Sequence, residues 1–499
     1  MRHTQHSAIY VVYSRQSTSL MYLSTIRPLI FTLFTLCLTA VDLAGQQDLT
    51  TYKRTSELMR QAINQGQPES VYQMTSESFR KRITLQQFAT GMNRFKAKNG
   101  VWKTISFRTA LRRGIDFNAS FGLTEQVLSL TLDSSGKIER MNFQEIPFFA
   151  NAKDFRVKDD NPLSTNTDRL VDSLVRPYIQ LGHTAGLVLA IIKDGKVSTY
   201  CYGTTDKRSI ILPDPERTLF EIGSVTKTFT SLLLAKQLAI GQMRLDDPIN
   251  QYLPDSIPPL TYQGEAVRLV HLANHTSGFP RLPENIFNGN IDSKNPYLHY
   301  TIDSLFSYLK HYQVKRRPGT NFSYSNYGAG LLGILLEMKT GMSFDDLIKK
   351  DITWPLKMNS TFIEVPAERK KDVATGHNER GLATSPWDLA SLKGSGAISS
   401  TLMDMVRYTQ AQLTGKPELA NAIAHSHRVT FLSEKQDMAL GWRIQKVGKR
   451  QYLHHAGGTG GFRSFVGFDM EKHLGVVILS NTAEEVAPIG ERLLRGLMK

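Results

Sequence analysis

The stretch that decides the fold is Phe220-Glu-Ile-Gly-Ser-Val-Thr-Lys-Thr-Phe-Thr-Ser-Leu-Leu-Leu-Ala-Lys-Gln-Leu-Ala-Ile-Gly241. After Gly223 and Ser224 comes a run in which Val225, Phe229, Leu232, Leu233 and Leu234 are apolar on most sides, the pattern of a buried helix that Gly241 ends. Three residues is about one helical turn, so the Ser224 hydroxyl and the Lys227 amine share a face. An ordinary lysine near pKa 10.4 is protonated at neutral pH, and a catalytic base needs roughly 7 or 8, a difference of about 4 kcal/mol. Desolvation and the positive end of a helix both act in that direction. Ser224 and Lys227 therefore read as a nucleophile and its base.

Ser-x-x-Lys also occurs at Ser78/Lys81, Ser134/Lys137 and Ser307/Lys310. Ser134 sits in an Asp-Ser-Ser-Gly turn, and Ser78 and Ser307 sit on segments with solvated faces, so these three read as surface serines.

The chain has 499 residues, of which 41% are hydrophobic and 21% charged, which suits a globular protein with more than one domain. Its formal charge of +15 is scattered and accompanied by no nucleic-acid motif, so an anionic cell-envelope setting or plain solvated surface explains it more simply. Arg27 followed by the apolar run Pro28 to Val41 reads as a signal peptide, too short for a membrane span of roughly 20 residues. The leader is placed at 1–45, with Met21 as an alternative start and a cleavage point between Ala40 and Gln46. The expected location is periplasmic or extracellular. Of the two cysteines, Cys37 lies in the leader and follows a bulky Leu36, which argues against lipid attachment. Cys201 is then alone, reads as a small buried residue, and has no disulfide partner.

Residues 46–150 read as a small α+β domain, with helices over 49–65, 68–82 and 85–98 and strands over 101–109, 126–132 and 138–145. Its element order resembles the cone-shaped NTF2-like modules fused to secreted bacterial enzymes. A polar linker follows over 151–166, and a second domain fills 167–499. There, a helix over 167–181 precedes strands over 185–193 and 196–202, joined at Asp194-Gly195. A largely helical region runs from 220 to about 420, strands follow over 440–447, 451–455, 463–469 and 475–479, and a helix covers 484–498. Strands from both ends of the domain with helices between them imply one antiparallel sheet flanked by helices.

Acyl transfer also needs a proton carrier and an oxyanion site. In Asn321-Phe-Ser-Tyr324-Ser-Asn326-Tyr-Gly328, a phenol and an amide can stand side by side. In Leu453-His-His455-Ala-Gly457-Gly458-Thr-Gly-Gly461-Phe462, glycines would let a backbone approach a substrate closely. Read structurally, Tyr324 would be a half-buried aromatic, Asn326 a turn residue, His275 and His454 hydrogen-bonded core imidazoles, and the glycines a hairpin turn. Neither a P-loop nor a Rossmann pattern fits the glycines, and Gly-x-Ser-x-Gly, His-Glu-x-x-His and paired-cysteine patterns are missing, so neither cofactor nor metal is expected.

With these motifs in place, residues 168–499 resemble the serine β-lactamase and penicillin-binding protein superfamily, in the class C-like branch that also holds esterases and D-amino-acid peptidases. The flanks Phe220-Glu-Ile-Gly223, Asn274-His-Thr-Ser-Gly278 and Gly394-Ser-Gly-Ala397 strengthen the resemblance. It implies that Ser224 is acylated, Lys227 is its base partner, and Tyr324 accepts and returns the proton. It further implies that Asn326, His455 and Gly457 contact the substrate and that the Ser224 and Gly458 N–H groups form the oxyanion hole. His455 stands where lactamases and transpeptidases usually carry lysine, and Ala456 replaces a hydroxyl residue. A neutral histidine suits a substrate carboxylate less well, so the pattern is nearer to D-aminopeptidases and esterases. The expectation is an exported serine hydrolase acting on a small molecule or short peptide. A β-lactamase or D,D-carboxypeptidase, and a non-catalytic envelope binding protein, are the alternatives.

Overall fold

The computed structural model describes residues 49–111, 114–122, 125–146, 157–287 and 295–498. The expected leader, and positions 151–156 of the expected linker, lie outside them. The chain divides into two compact units, Met1–Phe148 and Phe149–Lys499.

In the first unit, helical residues 49–65 lead to two short helices, Pro68–Gln73 and Glu77–Arg80, and then to Leu85–Asn99. The single helix expected over 68–82 is in fact broken, because Thr75 bridges to Ile138 and the Ser76 side chain caps the second piece. Four strands, Trp102–Leu111, Gly114–Phe121, Glu125–Leu132 and Ile138–Ile146, pair in sequence order as an antiparallel meander. The second of these was not anticipated. Ile115, Phe117, Ala119 and Phe121 alternate inward along it, but Asp116 and Asn118 between them are residue types that strands disfavour. Trp102 stacks on Phe121 with ring centres 5.2 Å apart, at the middle of this unit's core.

The second unit is built on a seven-stranded antiparallel sheet. Its strands are β1 (Gly186–Lys193), β2 (Lys196–Gly203), β3 (Asp437–Met438), β4 (Arg443–Val447), β5 (Arg450–Gly458), β6 (Arg463–Asp469) and β7 (Leu474–Ser480). Their order is β3-β4-β5-β6-β7-β1-β2, so the last strand pairs with the first. Asp194, at φ +50°, and Gly195 make the tight turn between β1 and β2. Both faces of the central strands are covered, which is why β1 and β7 read as continuous apolar runs. Helices Asn166–Ile179 and Ala487–Leu497 pack on one face, where the Tyr178 and Ser480 hydroxyls meet at 2.9 Å.

The other face carries the helical region, with helix Thr226–Ala239 at its centre. This helix is enclosed nearly all round, burying the polar Thr226, Lys227, Thr228, Thr230 and Ser231 along with its leucines. Phe229 stacks on Tyr408 of helix Leu402–Thr414 at 4.0 Å, and the Tyr408 hydroxyl donates to Thr228 at 2.9 Å. At its far end Gly241 turns the chain with φ +73°. Two buried aromatics of this kind are worth about 1 kcal/mol beyond the area they bury, which helps to fix the depth and rotation of the helix. The result is the expected β-lactamase/transpeptidase-type α+β arrangement.

Candidate active site

Ser224 lies on a 3₁₀ turn, Gly223–Val225, that feeds directly into helix Thr226–Ala239. Gly223 adopts φ +49°, and a β-carbon there would fall 2.7 Å from the Gly458 nitrogen. A β-carbon on Gly457 would fall 2.0 Å from the Ile222 carbonyl oxygen and 3.0 Å from the Ser224 nitrogen. The Ser464 hydroxyl, on β6 opposite Gly457, donates to the same Ile222 carbonyl at 2.7 Å. Glycine is required on both sides because two backbones meet there without intervening side chains. The turn bearing Ser224 and the end of β5 bearing Gly458 thus form one surface.

Lys227 is 2% exposed, while Ser224 remains accessible. The amine donates to Ser224 Oγ at 3.0 Å and to the Ser395 carbonyl at 2.6 Å. Burial is the main cause that pushes the amine below its ordinary value, Arg281 and Arg443 push the same way, and Tyr324 opposes them. Nζ lies 5.0 Å from the centre of the Tyr324 ring. Burial alone would raise the phenol, but the Lys227 charge, hydrogen bonding with Lys227 and Ser224, and the Arg443 charge outweigh it and leave it lowered. The Ser224 hydroxyl, the amine and the phenol form one interacting group.

Two features hold Tyr324. His275, at φ +62°, accepts from the Ser325 N–H through Nδ1 at 3.3 Å, and its carbonyl accepts from Ser323 N–H at 2.7 Å. Its ring lies 4.4 Å from the Tyr324 ring. Ser325 caps helix Asn326–Thr340 by accepting from Gly328 N–H at 2.8 Å, and its hydroxyl donates to Pro280 O at 2.7 Å. Asn326 starts that helix with its N–H on the Arg281 carbonyl, and its side-chain oxygen is buried without a partner.

His455 is 1% exposed on β5, with its ring centre 6.3 Å from that of Tyr324. Its Nδ1–H donates to the Ala456 carbonyl at 2.7 Å, and its Nε2 is buried without a partner. Burial, then the charges of Lys227 and Arg443, push it well below the ordinary histidine value, so it is neutral at pH 7. His454 pairs in register with Arg443 and points its ring towards Phe465, on the opposite side of the strand.

Ser224, Lys227, Tyr324, Asn326, His455, Gly457 and Gly458 are therefore gathered in one place. Sequence reasoning missed three contributors. The Arg443 guanidinium stands 5.7 Å from the Tyr324 ring centre and 5.5 Å from that of Phe322, and the Arg281 guanidinium 5.3 Å from Tyr324. Arg443 donates to the Gln436 amide oxygen at 3.0 Å, and among the described residues neither arginine forms an ion pair. The third is the Ser395 carbonyl, a main-chain group that no side-chain pattern advertises. Cys201 is buried at a distance from the site, and burial raises its thiol. The described residues include no group of three or more His, Cys, Asp or Glu side chains placed to hold a metal.

With a buried lysine beside the accessible Ser224 hydroxyl and the Tyr324 ring, at the edge of a helix-covered antiparallel sheet, the chain is a serine hydrolase of the β-lactamase and penicillin-binding protein superfamily, class C-like. A sequence model of the beta-lactamase family matches residues 171–496, and the chain belongs to that family. It is 30% identical to a beta-lactamase from Pseudomonas fluorescens over 363 residues, 64% of this chain and 94% of that protein. It is 27% identical to the D-alanyl-D-alanine-carboxypeptidase/endopeptidase AmpH of Escherichia coli (strain K12), over 59% of this chain and 78% of that one. A solved beta-lactamase/D-alanine carboxypeptidase from Pseudomonas syringae shares the fold with a TM-score of 0.60 at 24% identity, covering 67% of this chain and 99% of its own.

Proposed function

We propose that this protein is an exported hydrolase that opens an amide or ester through an acyl-enzyme on Ser224. The observation that carries the reading is the Lys227 amine, held 3.0 Å from the Ser224 hydroxyl and driven towards its neutral form by burial. The Ser395 carbonyl takes one amine hydrogen and holds the nitrogen beside Ser224, where its lone pair, once the amine is neutral, can accept the hydroxyl proton. Ser224 attacks the carbonyl carbon as Lys227 and Tyr324 take its proton. The N–H groups of Ser224 and Gly458 hold the oxyanion. The tetrahedral intermediate collapses as Tyr324 returns the proton to the leaving amine or alcohol, and water then releases the acid by the same steps. Asn326, His455 and Gly457 line the substrate's path. Residues 46–150 are read as an accessory module, NTF2-like in element order.

A second reading, a β-lactamase or D,D-carboxypeptidase, is favoured by Arg281 and Arg443. His455 is neutral, yet two guanidinium groups flank Tyr324, and among the described residues neither forms an ion pair with a carboxylate. A substrate carboxylate would supply that charge. The relatives named above bear beta-lactamase and carboxypeptidase names.

Intact-protein mass after incubation with a fluorophosphonate, run beside a penicillin, tests both readings on wild type and Ser224→Ala. An adduct on Ser224 from the phosphonate alone supports the esterase or peptidase reading, and adducts from both bring the penicillin-recognising one forward. No adduct from either would overturn the acyl-enzyme.

A further inference from the structure

Three residues before Ser224, Glu221 is 6% exposed on a two-residue strand paired with Ser399 and Ser400. Its two carboxyl oxygens are both engaged. Thr459 donates its hydroxyl to Oε2 at 2.6 Å, and the Trp387 backbone N–H donates to Oε1 at 2.7 Å. The first distance is in the range of a charge-assisted O–H···O⁻ bond. Neither partner is charged, and among the described residues no cation or second carboxylate bears on Glu221. An unpaired buried carboxylate costs a protein several kcal/mol of desolvation, and a glutamine or an apolar side chain would avoid it.

The location accounts for the residue's presence. Thr459 directly follows Gly458, and its N–H closes the Gly458-Gly461 turn onto the Phe462 carbonyl at 3.1 Å. The Trp387 indole lies against the same turn, where a β-carbon on Gly460 would fall 2.8 Å from Nε1. One carboxyl group thus joins the segment leading to the nucleophile, the turn bearing the second oxyanion N–H, and the loop that supports that turn. We propose that Glu221 is a positioning residue, whose carboxylate on the Thr459 hydroxyl and the Trp387 N–H fixes the Gly458 N–H relative to Ser224. The proposal rests on the acyl-enzyme reading above.

Positioning predicts a loss in the chemical step and not in binding. Burial raises the Glu221 carboxyl to about 7, with the Thr459 and Trp387 hydrogen bonds opposing it. The ionised form, which accepts from both donors, is therefore gained as pH rises through neutrality, and activity gains with it.

The test is steady-state kinetics from pH 5.5 to 9 on wild type, Glu221→Gln, Thr459→Val, Thr459→Ser and the Glu221→Gln/Thr459→Val pair, using an activated ester. The expected result is a fall in kcat of about 10- to 100-fold for Glu221→Gln and Thr459→Val, with KM within about threefold. Thr459→Ser keeps near-wild-type turnover, the double variant is no worse than either single one, and Glu221→Gln loses the rise in kcat near neutrality. Unchanged kcat in both single variants, additive losses, or an unaltered pH profile would overturn the proposal. Titration of reactive serine with a fluorophosphonate normalises each rate to folded enzyme. Ser224→Ala, run in parallel, separates the two readings, because turnover surviving in that variant would defeat the acyl-enzyme itself and not the role of Glu221.

Discussion

The Lys227 amine stands 5.0 Å from the centre of the Tyr324 ring, and their surroundings push both the amine and the phenol below their ordinary values. Burial drives the amine down, and the phenol is held down by the positive charges around it in spite of burial. A lowered value means that the proton-accepting form is present at lower pH than in a free side chain. kcat/KM should therefore reach its plateau well before pH 10, where free lysine and tyrosine titrate. A profile still climbing between pH 9 and 10.5 would show that neither group is perturbed during catalysis.

Tyr324→Phe separates the hydroxyl from the ring. The ring contacts with Arg281, Arg443 and His275 remain. The expected outcome is a drop in kcat of about 10²- to 10⁴-fold, the usual worth of a positioned proton carrier, with little change in KM. Stopped-flow acylation by an activated ester measures it, and a drop under fivefold would remove Tyr324 from proton transfer.

Lys227→Met should abolish turnover and raise stability together. The native state holds this lysine below its ordinary value, so between the lowered value and about 10.4 the unfolded chain binds more protons than the folded one. Stability contributed by this group therefore rises with pH across that window and is at its lowest on the acid side. An apolar side chain of similar length removes the penalty, a gain of about 0.5–2 kcal/mol at pH 7. Thermal unfolding followed by circular dichroism reads it, and a clear fall in Tm would contradict it.

Arg443→Gln distinguishes the two substrate readings. For paired substrates differing only in a free carboxylate or its methyl ester, the acid should lose about 10- to 100-fold in kcat/KM and the ester much less, as expected when one hydrogen-bonded charge contact of about 1.5–3 kcal/mol is lost. Equal losses on both would mean that Arg443 acts through the Lys227 and Tyr324 charges instead.

Gly457→Ala should be severe. The added methyl would meet the main-chain oxygen of Ile222 and the nitrogen of Ser224, neither of which is the free end of a side chain. We expect a loss of about 1–3 kcal/mol of stability from overpacking, and at least about 100-fold in kcat from displacement of the nucleophile turn. Denaturant titration and an ester assay measure the two losses, and a variant with wild-type kcat would mean that the turn and β5 are not in contact during catalysis.

The Ser224–Lys227 turn was legible because helical spacing places those two side chains together and, unlike the three other Ser-x-x-Lys sites, it opens a run that is apolar on most sides. β1 and β7 were legible because long apolar runs end at turn residues, and β2 because Asp194-Gly195 marks its hairpin with β1. The strand over Gly114–Phe121 was hidden by Asp116 and Asn118, which alternate with its inward residues. Arg443 was hidden for a different reason. It is twelve positions before His455, and only the pairing of β4 with β5 brings its guanidinium to the Tyr324 ring. Arg281 lies outside every motif of the sequence, and Glu221 stands in it only as part of the Phe220–Gly223 flank. Whether either side chain carries or lacks a partner is a property of packing, which spacing does not reveal.

The pairing of β7 with β1 carries a consequence for biosynthesis. The Ser480 hydroxyl closes onto the Gly186 carbonyl across 294 positions of chain. The middle of the sheet is thus assembled from segments made nearly three hundred residues apart, and such late contacts slow folding. Until β7 has been made, β1 has no neighbour on that side, and its apolar edge is open to mispairing. A nascent chain arrested before Leu474 should accordingly be fully protease-sensitive across β1, and release of Leu474–Ser480 from the ribosome should be the event that confers resistance.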